Sequence, residues 1–388
     1  MSHPYRIDPA SAKAAEAAAA IARDTLAKHA ADVDANKRFP RESVDAIAKA
    51  GLFGLCVPAA QGGMGLGMRA FAAVTEELAG ACGSTAMIYV MHVSAAQAIA
   101  SGQSLAGRDE LLRAVAGGRH LTTLAFSERG SRSAFWAPVS RMAAENGSYT
   151  VRAEKSWVTS AAHADSYVSS AQQPGAASPL ESTIYLVRKG AAGVRVSGAF
   201  DGLGLRGNDS SPVTLADVAV PKGDLISALG EGANTMLQVV LPWFSIGTAA
   251  MSNGLCRAAV ATTTAHLGGA TFEHTGSKLR DLPNLRARLA EMFCRTEQAR
   301  ALLGHALDHI ESGSAAAPLY VLQTRLASLQ AASDVTDLAM KTCGGAAFSK
   351  HLGLERVFRD ARAGWVMAPT VDHLKDFVGR SMTGMPLL

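Results

Sequence analysis

Leu124-Ala125-Phe126-Ser127-Glu128-Arg129-Gly130-Ser131-Arg132-Ser133 is followed downstream by Glu154-Lys155-Ser156-Trp157-Val158-Thr159-Ser160. Each stretch is a short apolar run that breaks into hydroxyl, charged and glycine residues. That is how a β-strand ends at a turn. Taken singly, neither says much: Ser-Glu-x-Gly is a common turn and Lys-x-Trp-Val-Thr a common strand. Together they describe a β region whose strand ends expose the hydroxyls of Ser127 and Thr159 beside the broad apolar face of Trp157.

The surroundings support a β region with helical flanks. Between Gly117-Gly118 and about residue 228, further short β-type runs occur: Tyr149–Ala153, Tyr167–Ser170, Thr183–Val187, Val194–Ser197 and Val213–Val220. Asn146-Gly147 marks a hairpin, because both residue types tolerate positive φ. Upstream, Ala10–His29, Pro40–Gly51, Met68–Ala79 and Ser84–Ile99 read as helices bounded by proline and glycine, with Ser84 as an N-cap. Downstream, Ala233–Leu267, Leu282–Glu311 and Pro318–Lys341 are long and apolar-periodic, Pro242 kinks or starts the first, and Val371–Arg380 forms a short terminal helix. The fold class read from this order is α+β, mostly α. It comprises an N-terminal helical domain (1–117), a small central β-barrel or sandwich (118–228) and a C-terminal helical bundle (229–388).

Composition narrows the field. With 388 residues, 48% of them hydrophobic, the chain can bury a large core. A net charge of +4 without a Lys/Arg block gives no phosphate-binding stripe for a nucleic acid. Five cysteines at long spacings and no CxxC point to buried thiols in a reducing cytoplasm. No run of 18 apolar residues predicts a membrane span. The Gly202–Gly207 stretch, G-L-G-L-R-G, lies in the β region without a βαβ unit, so it is no dinucleotide fingerprint. His305 and His309 share a helix face but have no third metal ligand in view.

Further segments complete a pattern. Ala50-Gly51-Leu52-Phe53-Gly54-Leu55 precedes Gln61-Gly62-Gly63-Met64-Gly65-Leu66. Gly202–Gly207 precedes Leu215-Ala216-Asp217-Val218-Ala219-Val220-Pro221, and Gly344-Gly345 with Phe348 precedes Arg359-Asp360-Ala361. With the two opening stretches, these span about residues 30–375, and the chain resembles the acyl-CoA dehydrogenase superfamily of flavoproteins. The resemblance implies FAD as cofactor, lying between the β domain and the C-terminal four-helix bundle. Phe126, Ser127, Trp157 and Thr159 would face the flavin ring, and Gly344, Gly345 and Thr370 would approach the cofactor. Ser133 would contact substrate or cofactor. Trp243 and Phe244, read from their own chemistry, either pack in the core or narrow the acyl pocket. The resemblance further implies a homotetramer or homodimer, an acyl thioester of coenzyme A or a carrier protein as substrate, and an electron-transfer flavoprotein as electron acceptor.

The pattern breaks at the base. In the family a glutamate removes the substrate α-proton; the matching position here is Ala368, followed by Pro369. The alternative glutamate position, in an "ER" pair, reads Phe244-Ser245, and the family's "RxxFG" segment reads Phe272-Glu273-His274-Thr275-Gly276, with Lys278 or Arg280 as stand-ins. Candidate replacement bases are Asp372, His92 and Glu128, each with a structural alternative: a helix N-cap, a pocket-lining histidine and a turn carboxylate. His373 reads as a surface or interface residue. Three readings follow: an acyl-thioester dehydrogenase with a displaced base, a flavin-dependent monooxygenase or oxidase using His92, or a non-catalytic subunit of a hetero-oligomer.

Overall fold

The computed structural model describes residues 3–387. Its N-terminal helices are α1 (Pro9–Ile21), α2 (Ala27–Asn36), α3 (Arg41–Lys49), α4 (Met68–Ala81), α5 (Gly83–Ser101) and α6 (Arg108–Ala116). The Asp8 carboxylate caps α1 by accepting from the Ala10 and Ser11 amides. Gly51 takes φ +74° just past α3, the left-handed turn that ends a helix. The N-cap expectation at Ser84 is corrected. The helix α5 starts one residue earlier, after Cys82, and the Ser84 hydroxyl instead accepts from the Gly207 amide at 3.1 Å. That bond ties α5 to a loop of the β domain.

The β domain holds seven strands: β1 (Thr122–Ala125), β2 (Met142–Glu145), β3 (Ser148–Val158), β4 (Ser166–Gln172), β5 (Ser182–Arg188), β6 (Val194–Val196) and β7 (Ser211–Val220). They form two sheets, β1-β4-β5 and β2-β3-β7-β6. The β1–β4 pair is parallel and the other pairs are antiparallel. Asn146 (φ +46°) and Gly147 (φ +80°) make the β2–β3 hairpin turn. Single bridges, Glu128 with Lys155 and Arg141 with Gln172, join the two sheets.

The C-terminal part contains α7 (Gly232–Thr235), a π-helical turn (Met236–Val240), α8 (Leu241–Gly269), α9 (Pro283–Glu311), α10 (Ala317–Cys343), α11 (Gly345–Phe348), α12 (Leu354–Val366) and α13 (Val371–Met382). Pro242 stands in the first turn of α8, where its missing amide hydrogen costs no helical bond. The stretch Gly232–Gly269 is long and apolar enough to cross a membrane, yet 78% of its most apolar window is buried against the rest of the protein. Its apolarity is therefore used in the core. Helix α8 packs on α4 and α10, and one hydrophobic cluster runs from α4 and α5 through the β domain into α8. A Cβ on Gly254 would stand 2.4 Å from the Glu76 carbonyl, so α8 and α4 touch backbone to backbone only because that position is glycine.

Candidate active site

The stretches Leu124–Ser133 and Glu154–Ser160 converge on one cavity of about 1440 Å³. Its floor is apolar: Leu124 and Phe126 at the end of β1, Met87 and Met91 from α5, and Leu241 and Phe244 from the start of α8. One wall is the strand end Glu154–Trp157 with Thr159. The C-terminal part of α12, with Met367 and Ala368, lines the cavity as well. The rim carries Ser127–Ser133 and the loop from Phe200 to Leu205. The volume exceeds the roughly 300–1,000 Å³ of a drug-sized pocket.

Local strain concentrates here. Arg132, Ser133, Trp157 and Leu205 line the cavity and all hold positive φ, +47°, +71°, +57° and +51°. Such conformations cost about 1–3 kcal/mol each outside glycine and persist where the surroundings force them. At Trp157 the result is an indole 68% exposed, edge-on to Phe200 at 6.2 Å and turned out over the cavity wall. A large bare aromatic above a pocket is surface awaiting a planar partner. Beside it, the Ser156 amide donates to the Ser127 carbonyl at 2.9 Å, and the Thr159 and Ser210 hydroxyls are 3.1 Å apart. An aromatic lid, an apolar floor and hydroxyl-bearing strand ends fit a flavin ring, which needs apolar faces and hydrogen bonds along its edge.

A buried ion pair supports the floor. Lys155 Nζ donates to Glu128 Oε1 at 2.6 Å and to the Ser170 carbonyl at 2.6 Å. Glu128 also accepts from the Val139 and Ser140 amides at 2.6 and 2.8 Å. Burial alone would raise the Glu128 pKa, but the charge and hydrogen bonds of Lys155 and Ser140 hold it below the ordinary value. Glu128 is thus an ionised carboxylate with its lone pairs already taken, which is the structural role and not that of a base.

The other two candidate bases stand away from the cavity. Asp372 is in the first turn of α13, 93% exposed, with Lys375 Nζ at 3.6 Å; it borders a separate groove between α9, α10 and α13. It does not cap the helix either: the Thr370 hydroxyl accepts the His373 amide instead. His92 is fully buried, its ring tilted against that of Phe53 with centroids 4.1 Å apart, its Nδ1 accepting from the Thr122 amide at 3.2 Å. Burial drives its pKa down to about 3, so the ring is neutral. Met87 and Met91, spaced i and i+4, are the α5 residues that face the cavity; His92, next in sequence, points elsewhere.

The remaining sequence-predicted residues divide. Phe126, Ser127, Ser133, Trp157, Thr159, Phe244 and Ala368 line the one cavity. Gly344, Gly345 and Thr370 lie outside its lining, and Trp243 packs into the core 5.7 Å from Phe71. His373 is half-buried, its ring 5.9 Å from that of Trp136 and stacked on Phe377. His305 and His309 face each other with Nε2 atoms 3.3 Å apart, and Tyr320 stacks on His309. Among the described residues, the carboxylates lining the cavity are Glu128 and Glu154, and Glu154 accepts from the Thr214 hydroxyl at 2.9 Å.

Sequence reasoning missed Arg325. It is wholly buried in α10, with its guanidinium carbon 4.8 Å from the Phe244 ring centre and Nη2 donating to the Met367 carbonyl at 3.2 Å. Burial lowers its pKa to about 9, which leaves it a cation at neutral pH. A desolvated cation–π contact contributes about 2 kcal/mol, against several kcal/mol for a buried unpaired ion. An arginine breaking the apolar face of a long helix was the signal available in the sequence.

Two helical domains flanking a β domain, with a flavin-sized cavity where they meet, define a flavoprotein of the oxidoreductase type. The chain matches the acyl-CoA dehydrogenase N-terminal domain over residues 9–119, the middle domain over 123–218 and the C-terminal domain over 230–383. It belongs to the acyl-CoA dehydrogenase superfamily of FAD-dependent oxidoreductases. It is 26% identical to cyclohex-1-ene-1-carbonyl-CoA dehydrogenase of Geobacter metallireducens, over 93% of this chain and 95% of that protein. It is 28% identical to the mitochondrial short-chain specific acyl-CoA dehydrogenase of Bos taurus, over 86% of this chain and 80% of that protein. The solved butyryl-CoA dehydrogenase of Megasphaera elsdenii superposes with a TM-score of 0.92 at 20% identity, covering 97% and 99% of the two chains.

Proposed function

We propose that this protein α,β-dehydrogenates an acyl-CoA thioester with FAD, and that it does so without a side-chain base at the usual place. The observation carrying the second half is the lining itself: Ala368 and Phe244 both border the cavity, and among the described residues its carboxylates are Glu128, paired with Lys155, and the exposed Glu154, which accepts from Thr214. Bound FAD supplies an acceptor for the hydride that leaves the substrate Cβ. Phe126, Ser127, Trp157 and Thr159, which line the cavity, would hold and orient it, and Ser133 would meet the thioester. Phe244 and the α5 methionines cover the acyl group and keep water from most of it. The proton at Cα passes to water rather than to a side chain, which makes the chemical step slow for this family.

The domain limits 1–117, 118–228 and 229–388, a homotetrameric or homodimeric assembly, a cytoplasmic location and an electron-transfer flavoprotein acceptor belong to the same reading. The monooxygenase reading loses its main residue, since His92 is sealed beneath Phe53 and not at the cavity. The non-catalytic reading is at odds with a fully formed, strained cavity.

Mass spectrometry of the reaction mixture tests the proposal. FAD-loaded protein, an artificial electron acceptor and saturated acyl-CoAs are expected to give the enoyl-CoA, two mass units lighter than its substrate. Flavin uptake with no enoyl-CoA from any chain length would count against it.

A further inference from the structure

The chain pairs its other deeply buried cations. Lys155 has Glu128, and Arg69 has Asp308 and Glu311 at 3.0 and 2.7 Å. Arg325 breaks this rule. Its Nε and Nη1 have no hydrogen-bond partner, and among the described residues no carboxylate forms an ion pair with it. The buried hydroxyls of Ser245, next to Phe244, and Ser328, on α10 one turn beyond Arg325, also lack partners. A guanidinium with two free donors and no acid is a site for a planar anion. It is placed to serve the cavity, because the two groups that touch it, the Phe244 ring and the Met367 carbonyl, belong to cavity-lining residues. Arg325 itself stands behind the lining, with the Phe244 ring against its guanidinium.

We propose that Arg325 is the specificity residue of this site and receives a carboxylate carried on the acyl group of the substrate. The substrate class is then a dicarboxylic acid monothioester and not a plain fatty acyl-CoA. This rests on the acyl-thioester reading above and deepens it.

The experiment compares methyl-ended and carboxylate-ended acyl-CoAs of equal chain length on the FAD-loaded protein. Binding is read from the perturbed flavin spectrum, and turnover is followed separately. Wild type is expected to bind the carboxylate-ended series about 10–100-fold more tightly, the range for hydrogen bonds to a charged group. Arg325→Met should abolish that preference, read as the ratio of the two Kd values on the same variant, and Arg325→Lys should restore part of it. Thermal shift gives a second readout: carboxylate-ended ligand should raise the melting temperature of wild type more than that of Arg325→Met. Equal binding of both series by wild type, or a preference that survives in Arg325→Met, overturns the assignment. Preferential binding without turnover of either series would uphold Arg325 and overturn the dehydrogenase reading, so the two failures are distinguishable.

Discussion

At the scale of single residues, the site is a scaffold with one substitution at its centre. If Ala368 marks where a base is missing, restoring one should speed the reaction. Ala368→Glu is expected to accelerate bleaching of the flavin by acyl-CoA about 10²–10⁴-fold, the usual worth of a positioned general base; stopped-flow absorbance checks this. Glu128 should behave differently. Glu128→Ala leaves the Lys155 ammonium buried without its partner, at a cost of about 3–5 kcal/mol in unfolding free energy, measured by urea denaturation. Ser127, Trp157 and Thr159 were legible in the sequence because strand ends carry their own turn chemistry. His92 was not. Helix α5 is buried on nearly every side, so its sequence shows no polar face to indicate which residues look into the cavity. Arg325 was legible only from its place between Val321 and Leu329 on the apolar face of α10, since an arginine in a long helix otherwise reads as solvent-facing.

At the scale of elements, α12 holds the cavity together. Asp360 is buried in it and accepts the Leu205 amide at 2.6 Å, while a Cβ on Gly204 would come within 2.3 Å of the Arg359 carbonyl. The G-L-G-L-R-G loop therefore docks backbone to backbone on α12. Burial raises the Asp360 pKa from 3.8 to about 7. The native state holds this proton more tightly than the unfolded chain. The group's contribution is thus complete below about pH 4 and lost as pH rises through 7. Asp360→Asn keeps an acceptor for Leu205 and removes the titration. Its stability should change less than that of wild type between pH 4 and 7, in denaturant midpoints taken across that range. The helix α12 itself was not foreseen, nor was β2, whose Met142-Ala143-Ala144-Glu145 has little β character of its own and is a strand because the Asn146-Gly147 turn folds it onto β3. Proline and glycine punctuation, by contrast, marked α3, α4 and α8 to within a few residues.

At the scale of the whole molecule, the N-terminal segment is stitched to the C-terminal bundle. The Tyr5 hydroxyl donates to the buried Glu76, Asn253 Nδ2 donates to Tyr5 at 3.1 Å, and Arg257 and Arg300 reach Glu76 at 2.8 and 2.9 Å. Tyr5→Phe removes a hydrogen bond to a buried ion and should lower the unfolding free energy by about 1.5–3 kcal/mol in the same urea assay. The α-β-α order was readable from periodicity alone, because the switch between helical and alternating patterns is sharp at Gly117-Gly118 and near Gly230. How the three parts close on one cavity was not, since that depends on contacts such as Gly254 against Glu76 that no local pattern announces. The central claim is that this closed scaffold binds FAD and takes a hydride from an acyl thioester although Ala368 and Phe244 stand where a glutamate would act. It is tested most directly by anaerobic titration of the FAD-loaded protein with methyl-ended and carboxylate-ended acyl-CoAs, following the oxidised-flavin absorbance. The account predicts slow but complete bleaching, with the carboxylate-ended thioesters effective at lower concentration. A yellow protein that no thioester bleaches would contradict it.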